Sequence, residues 1–452
     1  MLLPIHPILS ELAAIFTQQG KQVFLVGGAT RDLLRGYEAN DWDLATNAHP
    51  EEVMRYFSRV IPTGIKHGTV TIYFKGHALE VTTFRTESEY TDGRRPSTVQ
   101  YAATIEEDLS RRDFTMNAIA LELPSGRQVD PFGGAEDIKL GRIRCVGKAE
   151  ERFAEDGLRP LRAVRFASQL GFTIDESTLL AIPLALNTTA KVAPERIRDE
   201  FDKILLSGKP SAALRLMELT GLLALLIPDL AACRGVEQKG HHRFDVLDHS
   251  LLACDYSALH NHPQEVRLAA LLHDIGKPLV RKKDADGAWS FHNHEQKSAA
   301  LARQLMHQYR YPNAIAESVI HLIETHMVNY DETWKDGAVR RFIIRVGENL
   351  LPNLYRLRLA DFYAKRAEEP PPDFLTPLIT HIERVLAISD TLTVKDLAVN
   401  GRDLGEYGIK PGKSMGIILR ELLETVLDDP SQNTRERLLE IAETLQERAD
   451  LM

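Results

Sequence analysis

The chain has 452 residues and a formal net charge of −9, with 44% hydrophobic and 26% charged residues and no low-complexity tract. That is enough chain for roughly two to four domains, and its acidic balance excludes a molecule-wide basic nucleic-acid binder, leaving only a local patch for such a role. Cys145, Cys233 and Cys254 are too far apart for a disulfide framework or a thiolate zinc site, and the lack of a signal-like start or an apolar run of about 18 residues points to a cytoplasmic protein with no membrane partner.

Residues 7–19 carry Ile8, Leu12, Ile15 and Phe16 at helical spacing, and Gly20 stops that helix. "QVFLVGG" is a short β-rich run ending in glycines. "DWDLAT", "GTVTIYF" and "HALEVTTF" read as further strands, the last two alternating with period two. From about residue 151 the pattern turns helical, beginning with "AEDGLRPLRAVRFASQLGF", and "EEPPPDFLTP" at 368–377 is a linker or loop. The stretch 390–452 has glycine-rich turns followed by a helix. The expected class is α+β: an α/β head with a mixed sheet, then a mostly α-helical remainder, divided at 1–150, 151–215, 216–380 and 381–452.

On a strand, residues i and i+2 share a side, so Asp41 and Asp43 are expected as neighbours. Two such carboxylates repel unless a cation lies between them, and oxygen-only ligands suit Mg²⁺. Gly27 and Gly28 allow close backbone approach, and Arg31 follows on the first turn of the next helix, where a triphosphate would sit. Glu80 is either a third carboxylate from a neighbouring strand or an exposed strand glutamate. Arg111, Arg112 and Asp113 precede an expected helix bearing Asn117; they suit phosphate and ribose, or an N-cap with solvated arginines. Glu155, Arg159 and Arg162 fall at i, i+4 and i+7, with Asp156 beside them and Arg165 one step on. They suit either the edge of a base or intrahelical ion pairs on a solvated face.

Taken in order, "LVGGATRD", "NDWDLAT", "RRDFTMNAIA", "DPFGG", "AEDGLRPLRAVRFA" and "ERIRDEFDKIL" resemble the class II tRNA nucleotidyltransferase (CCA-adding enzyme)/poly(A) polymerase family. The resemblance is dense over about 20–215 and resumes at "VNGRDLGEYGIKPGKSMGIIL". It implies a nucleotidyltransferase head at 1–150, a base- and RNA-binding neck at 151–215 and a C-terminal RNA-binding region at 381–452. Implied too are catalytic metals on Asp41 and Asp43; Glu80, read from the residues alone, is counted with them as a candidate catalytic carboxylate. Triphosphate contacts come from Gly27, Gly28 and Arg31, ribose contacts from Arg112 and Asp113, base selection from Glu155, Asp156 and Arg159, and phosphate contacts from Arg162 and Arg165. The substrates would be ATP, CTP and tRNA. The segment 84–109 looks like the family's flexible loop, which goes with terminal A addition. Complete CCA addition is the leading expectation, and A-only or poly(A) addition the alternative within the class.

The middle region holds His249, His273-Asp274, His294, His326 and Asp361 in the order H…HD…H…H…D. Imidazole and carboxylate ligands without thiolate suit Mn, Fe, Ni or Zn. The set resembles the HD-domain phosphohydrolase superfamily in its two-metal form, which implies an HD domain at 216–380 and hydrolysis of 2′,3′-cyclic nucleotides or phosphomonoesters. Lys277, one turn on, is placed for a phosphate. His241, His242, His260, His292 and His321 are read as structural. A reading from another class follows: a metal phosphohydrolase whose N-terminal half only binds RNA.

Overall fold

The computed structural model describes residues 5–39, 41–88, 98–238, 242–285, 287–388 and 393–450. They divide into two compact units, Met1–Ala232 with His307–Arg310, and Cys233–Met306 with Tyr311–Met452. Among the described residues no helix is long and apolar enough to cross a membrane.

The first unit is built on a seven-stranded mixed sheet. Its strands are β1 (Val23–Val26), β2 (Asp43–Thr46), β3 (Val60–Gly64), β4 (Thr69–Phe74) and β5 (His77–Thr83). β6 (Arg85–Ser88) and β7 (Thr98–Tyr101) form a separate hairpin, and β8 (Ala120–Glu122) and β9 (Gln128–Val129) complete the main sheet. The order is β3-β4-β5-β2-β1-β8-β9, with β2 and β5 parallel and the other neighbours antiparallel. β1 is continuously apolar because both sheet faces are covered. Val23 and Leu25 join a core with Leu12 and Phe16 of the first helix, while Phe24 and Val26 join another with Phe84, Leu109 and Ala118.

Three expectations need correction. β2 begins at Asp43, so Asp41 lies just before the strand, in a bend. Trp42 between them is buried, its ring 4.8 Å from His6 and 5.2 Å from His77, and this anchors the bend from the core side. The helix expected across "AEDGLRPLRAVRFA" is two helices, Ala149–Glu155 and Arg159–Leu170. Gly157 sits in the break, where a Cβ would lie 2.4 Å from the Thr188 carbonyl oxygen, so backbone meets backbone where periodicity alone saw a continuous helix. Finally, the "RRD" run follows a helix (Ile105–Ser110, capped by Thr104) and leads only into a 3₁₀ turn, Thr115–Asn117. The flanks of the 84–109 segment are the β6–β7 hairpin and that capped helix; its middle, 89–97, lies outside the described residues.

In the second unit, helices Val246–Leu259, Gln264–Leu272, Asn313–Thr325 and Leu351–Arg366 pack together. Toward the C-terminus, Asn400 caps helix Gly401–Glu406, and helices Lys413–Asp428 and Arg435–Asp450 close around Val399, Leu404, Ile418, Leu422 and Leu438.

Candidate active sites

The first site lies where β1 ends and β2 begins. Antiparallel pairing sets Val26 opposite Asp43, and parallel pairing sets Glu80 of β5 beside Asp43 on the same face. Gly27 turns the chain with φ 72°, and a Cβ there would stand 3.3 Å from Arg112 Nη1 and 3.5 Å from Asp43 Oδ2. The glycine thus lets a carboxylate and a guanidinium close on the turn. Desolvation beside the turn, and then the charges of Asp41 and Glu80, push Asp43 up to about 6 although the residue keeps solvent contact, with Arg112 pulling the other way. Carboxylates gathered against their own repulsion are the donor set a divalent cation satisfies.

This crowding has a measurable sign. A carboxyl with a raised folded pKa penalises the folded state above about pH 6, and the penalty fades as pH falls toward the unfolded value. Asp43→Asn is expected to raise the Tm of EDTA-treated protein by about 1–3 °C at neutral pH. The gain should shrink in acid and on adding Mg²⁺. A lower Tm at neutral pH would refute the crowding.

A cavity of about 480 Å³ opens beside this turn, lined by Gly27, Gly28, Arg31, Asp43, Arg111 and Arg112, and further in by Asp113, Asn117, Asp156, Arg159, Arg162 and Arg165. Its arginines are pre-positioned. Arg31 donates to Asp32 through Nε and Nη2, 3.0 Å each, and through Nη1 to Asn117 Oδ1 at 3.0 Å. Arg111 and Arg112 both donate to buried Asp108, at 2.9–3.0 and 3.3 Å. Burial alone would raise Asp108, but these two guanidinium groups hold it below its ordinary value.

Buried Asp113 accepts from Asn117 Nδ2 at 3.1 Å and from Arg162 Nε at 2.8 Å. Against the cost of burial, Arg162 above all holds Asp113 down at about 2. Arg159 donates to Glu155 (2.6 Å) and to the Arg111 carbonyl (3.0 Å), and Asp156 accepts from Arg196 (2.8 Å) and the Leu158 amide (3.0 Å). Glu155 therefore braces Arg159 and is not among the residues lining the cavity.

Sequence reasoning missed Asp108, Glu200 and Phe166. Glu200 pairs with Arg165 at 2.8 Å, and the Phe166 ring lies under the guanidinium groups of Arg165 (4.0 Å), Arg31 and Arg162 (5.4 Å each). All three residues stand inside motifs already noticed, but nothing in spacing told that Glu200 faces back to the neck helix.

The second site gathers all six expected ligands, each buried. His249 Nε2 is 3.1 Å from His273 Nε2, 3.4 Å from Asp274 Oδ2 and 3.3 Å from Asp361 Oδ1; His294 Nε2 is 3.3 Å from Asp274 Oδ1. His326 joins His273 and Asp274 in a second convergent group. His273, His294 and His326 each anchor Nδ1 on the carbonyl three residues back, at 2.9, 2.8 and 2.7 Å. That tautomer turns Nε2 inward, the arrangement that outer hydrogen bonds impose on metal-ligating imidazoles.

Burial disfavours charge at His273, yet Asp274 and Asp361 push it up to about 9. Burial, then the neighbouring His273, sends His326 down to about 3. Asp274 Oδ1 is buried without a hydrogen bond. Two buried carboxylates, an acceptor left without a hydrogen bond and Nε2 atoms turned inward fit a divalent cation pair. Lys277 donates to Asp274 Oδ2 and Gln238 Oε1, 2.6 Å each, so it serves the site from within. His242 and His292, expected as structural, line the adjoining cavity, and His242 lies 5.2 Å from the His249 ring. His260 keeps a structural place, stacked 4.0 Å from Tyr256; His241 lies outside the described residues.

Comparison with known proteins matches residues 23–144 to a Poly A polymerase head domain, 171–234 to a probable RNA and SrmB-binding site of polymerase A, and 240–369 to an HD domain. The chain is 36% identical over 441 residues to a CCA-adding enzyme of Latilactobacillus sakei, covering 96% of each. The crystal structure of a Bacillus stearothermophilus CCA-adding enzyme in complex with CTP is similar with a TM-score of 0.72 and 31% identity, over 99% of each chain. A Thermotoga maritima CCA-adding enzyme complexed with tRNA shares the fold, with a TM-score of 0.56 and 21% identity over 98% of this chain and 96% of that one.

Proposed function

The chain belongs to the CCA-adding enzyme family, and from that premise we propose that it adds C, C and A to tRNA 3′ ends from CTP and ATP without a nucleic-acid template. The observation that carries this reading is the cavity where the Gly27 turn, the crowded Asp43 and the tethered arginines meet. We place this work in the cytoplasm and retain the four-part division of head, neck, HD domain and C-terminal RNA-binding region.

Asp41 and Asp43, with Glu80 alongside, would hold divalent cations, Mg²⁺ in our reading, which would supply Lewis-acid activation of the RNA 3′-hydroxyl and neutralisation of the triphosphate. The protein does the positioning. Gly27 and Gly28 admit the phosphates to the turn, and Arg31 and Arg112 meet them. Asp113, fixed by Asn117 and Arg162, accepts from a ribose hydroxyl. Asp156 and Arg159 present acceptor and donor to the base edge, with Glu155 bracing Arg159, and Arg162 and Arg165 serve phosphate. The 3′-hydroxyl gives up its proton to solvent, its oxygen bonds to the α-phosphorus as the bond from that phosphorus to the α,β-bridging oxygen breaks, and pyrophosphate leaves.

The test offers labelled CTP and ATP to tRNAs ending at the discriminator base, at C and at CC. Extension of all three that stops after C-C-A is expected. Failure to use CTP would make the protein an A-adding enzyme, and continued A addition a poly(A) polymerase.

A second reading rests on the buried histidine and aspartate cluster. We assign it hydrolysis of 2′,3′-cyclic phosphates and phosphomonoesters, with His249, His273, Asp274, His294, His326 and Asp361 holding two divalent ions of the Mn, Ni, Fe or Zn group, which would supply an activated water and charge neutralisation. Water adds at phosphorus, one ester P–O bond breaks, and a proton reaches the leaving oxygen. Such an activity would serve end repair of damaged tRNA.

A further inference from the structure

The cavity beside the histidine and aspartate cluster measures about 650 Å³, and one side of it is built from a feature the hydrolysis does not use. Lys282–Lys283 and Trp289–Ser290 pair as a short antiparallel ribbon, with Lys283 opposite Trp289. Trp289 lines the cavity together with Asp274, His294 and Asp361. Its ring is covered by the Arg281 guanidinium at 3.5 Å, and Lys283 Nζ lies 5.1 Å from the ring centre.

The three cations in a row lack the usual compensation. Among the described residues no carboxylate forms an ion pair with Arg281, Lys282 or Lys283, and Arg281 Nε is buried without a hydrogen bond. Elsewhere around the cavity the cations are paired: Lys277 with Asp274, and Arg358 and Lys365 with Asp361. The ribbon's nearest acid, Asp284, accepts from the Ala288 amide at 2.8 Å and braces the turn. In a chain of net charge −9, uncompensated cations next to an aromatic ring on the wall of a phosphate-cleaving cavity match a strand of phosphates and bases. An isolated phosphomonoester needs neither.

Resting on the hydrolase reading of that cavity, we propose that Trp289, with Arg281, Lys282 and Lys283, is a docking platform for a single-stranded RNA 3′ end. Trp289 stacks on a base near the terminus, and the three cations take the backbone phosphates that follow it. The site then prefers an oligonucleotide ending in a 2′,3′-cyclic phosphate over a small ester.

The test compares full-length wild type, Trp289→Ala, Trp289→Phe and the double variant Lys282→Ala/Lys283→Ala, loaded with Mn²⁺ or Ni²⁺. The substrates are a short single-stranded RNA with a 2′,3′-cyclic phosphate end and p-nitrophenyl phosphate. Trp289→Ala is expected to raise KM for the RNA about tenfold, to leave p-nitrophenyl phosphate turnover unchanged, and to be rescued by Trp289→Phe. The double lysine variant is expected to flatten the salt dependence of the RNA KM. Equal losses on both substrates would make Trp289 a mere wall of the cavity and overturn the proposal, as would no loss on either.

A second readout separates the platform from the hydrolase reading. In EDTA-treated protein the same RNA should quench tryptophan fluorescence in wild type and much less in Trp289→Phe. If no metal-loaded form hydrolyses anything, the hydrolase reading fails and the quench alone decides the platform. Equal quench in wild type and Trp289→Phe overturns it.

Discussion

Asp41→Ala and Asp43→Ala are each expected to lower C and A incorporation onto tRNA by about a thousandfold or more, the scale of losing a metal-held activation. Desolvation and then the carboxylates of Asp41 and Glu80 push Asp43 up, Arg112 offsets part of this, and a divalent cation would relieve the rest. Removing either aspartate would remove half of the pair proposed to grip it. Raised Mg²⁺ should recover part of the Asp41→Ala loss, because Asp43 stays in register with Glu80 and still offers a carboxylate. Glu80→Gln is expected to cost less than either aspartate, since in the proposed reading Asp41 and Asp43 hold the cation and Glu80 only stands alongside on β5. Single-turnover assays with labelled CTP and tRNA read all of these. Activity within about tenfold of wild type for both alanine variants, on the same scale of metal-ion effects, would end the assignment of this site.

His273→Ala is expected to abolish hydrolysis of 2′,3′-cyclic AMP, by about a thousandfold or more, while C and A incorporation stays within about twofold. His273 belongs to both convergent ligand groups, with His249 and Asp361 in one and Asp274 and His326 in the other. Its loss would therefore break both proposed ion sites at once, and metal analysis should show the bound content falling below one ion per chain. The variant's fold is checked by far-UV circular dichroism and thermal unfolding, because the cavity assigned to nucleotide addition is lined by residues of the first unit while His273 lies in the second. Hydrolysis that persists in His273→Ala, or nucleotide addition that falls with it, would contradict a hydrolase centred on this cluster.

Much of both sites was legible because the chemistry demands residue types that other roles do not. The order H…HD…H…H…D needed no geometry to single out six side chains, and the structure brings all six together. The glycine turn, Arg31 and the paired aspartates were equally visible. What spacing could not supply was long-range direction. Asp108 looks like any acid in the helical "EEDL", yet folding buries it beneath Arg111 and Arg112. Glu155 and Arg162 sit seven apart and were taken for one helix face. The Gly157 break puts them on separate helices, because the Thr188 carbonyl occupies the space a Cβ would need. Periodicity counts positions along one helix and is blind to a backbone arriving from 31 residues downstream.

The tethering of the cleft arginines has a consequence for how the site chooses its occupants. Arg111 and Arg112 share Asp108, Arg162 is held by Asp113, Arg165 by Glu200 and Arg159 by Glu155. Each guanidinium is oriented before any nucleotide arrives, so little rotamer freedom is left to lose on binding. Each is also half-neutralised, which keeps the resting cleft from acting as a general trap for polyanions. A triphosphate that carries its own divalent cation brings a positive charge to the acidic side of the cleft and negative charges to the basic side in one step. In the proposed reading, the lattice of prior ion pairs would favour a metal-bound nucleotide, admitted by exchange, over a bare triphosphate.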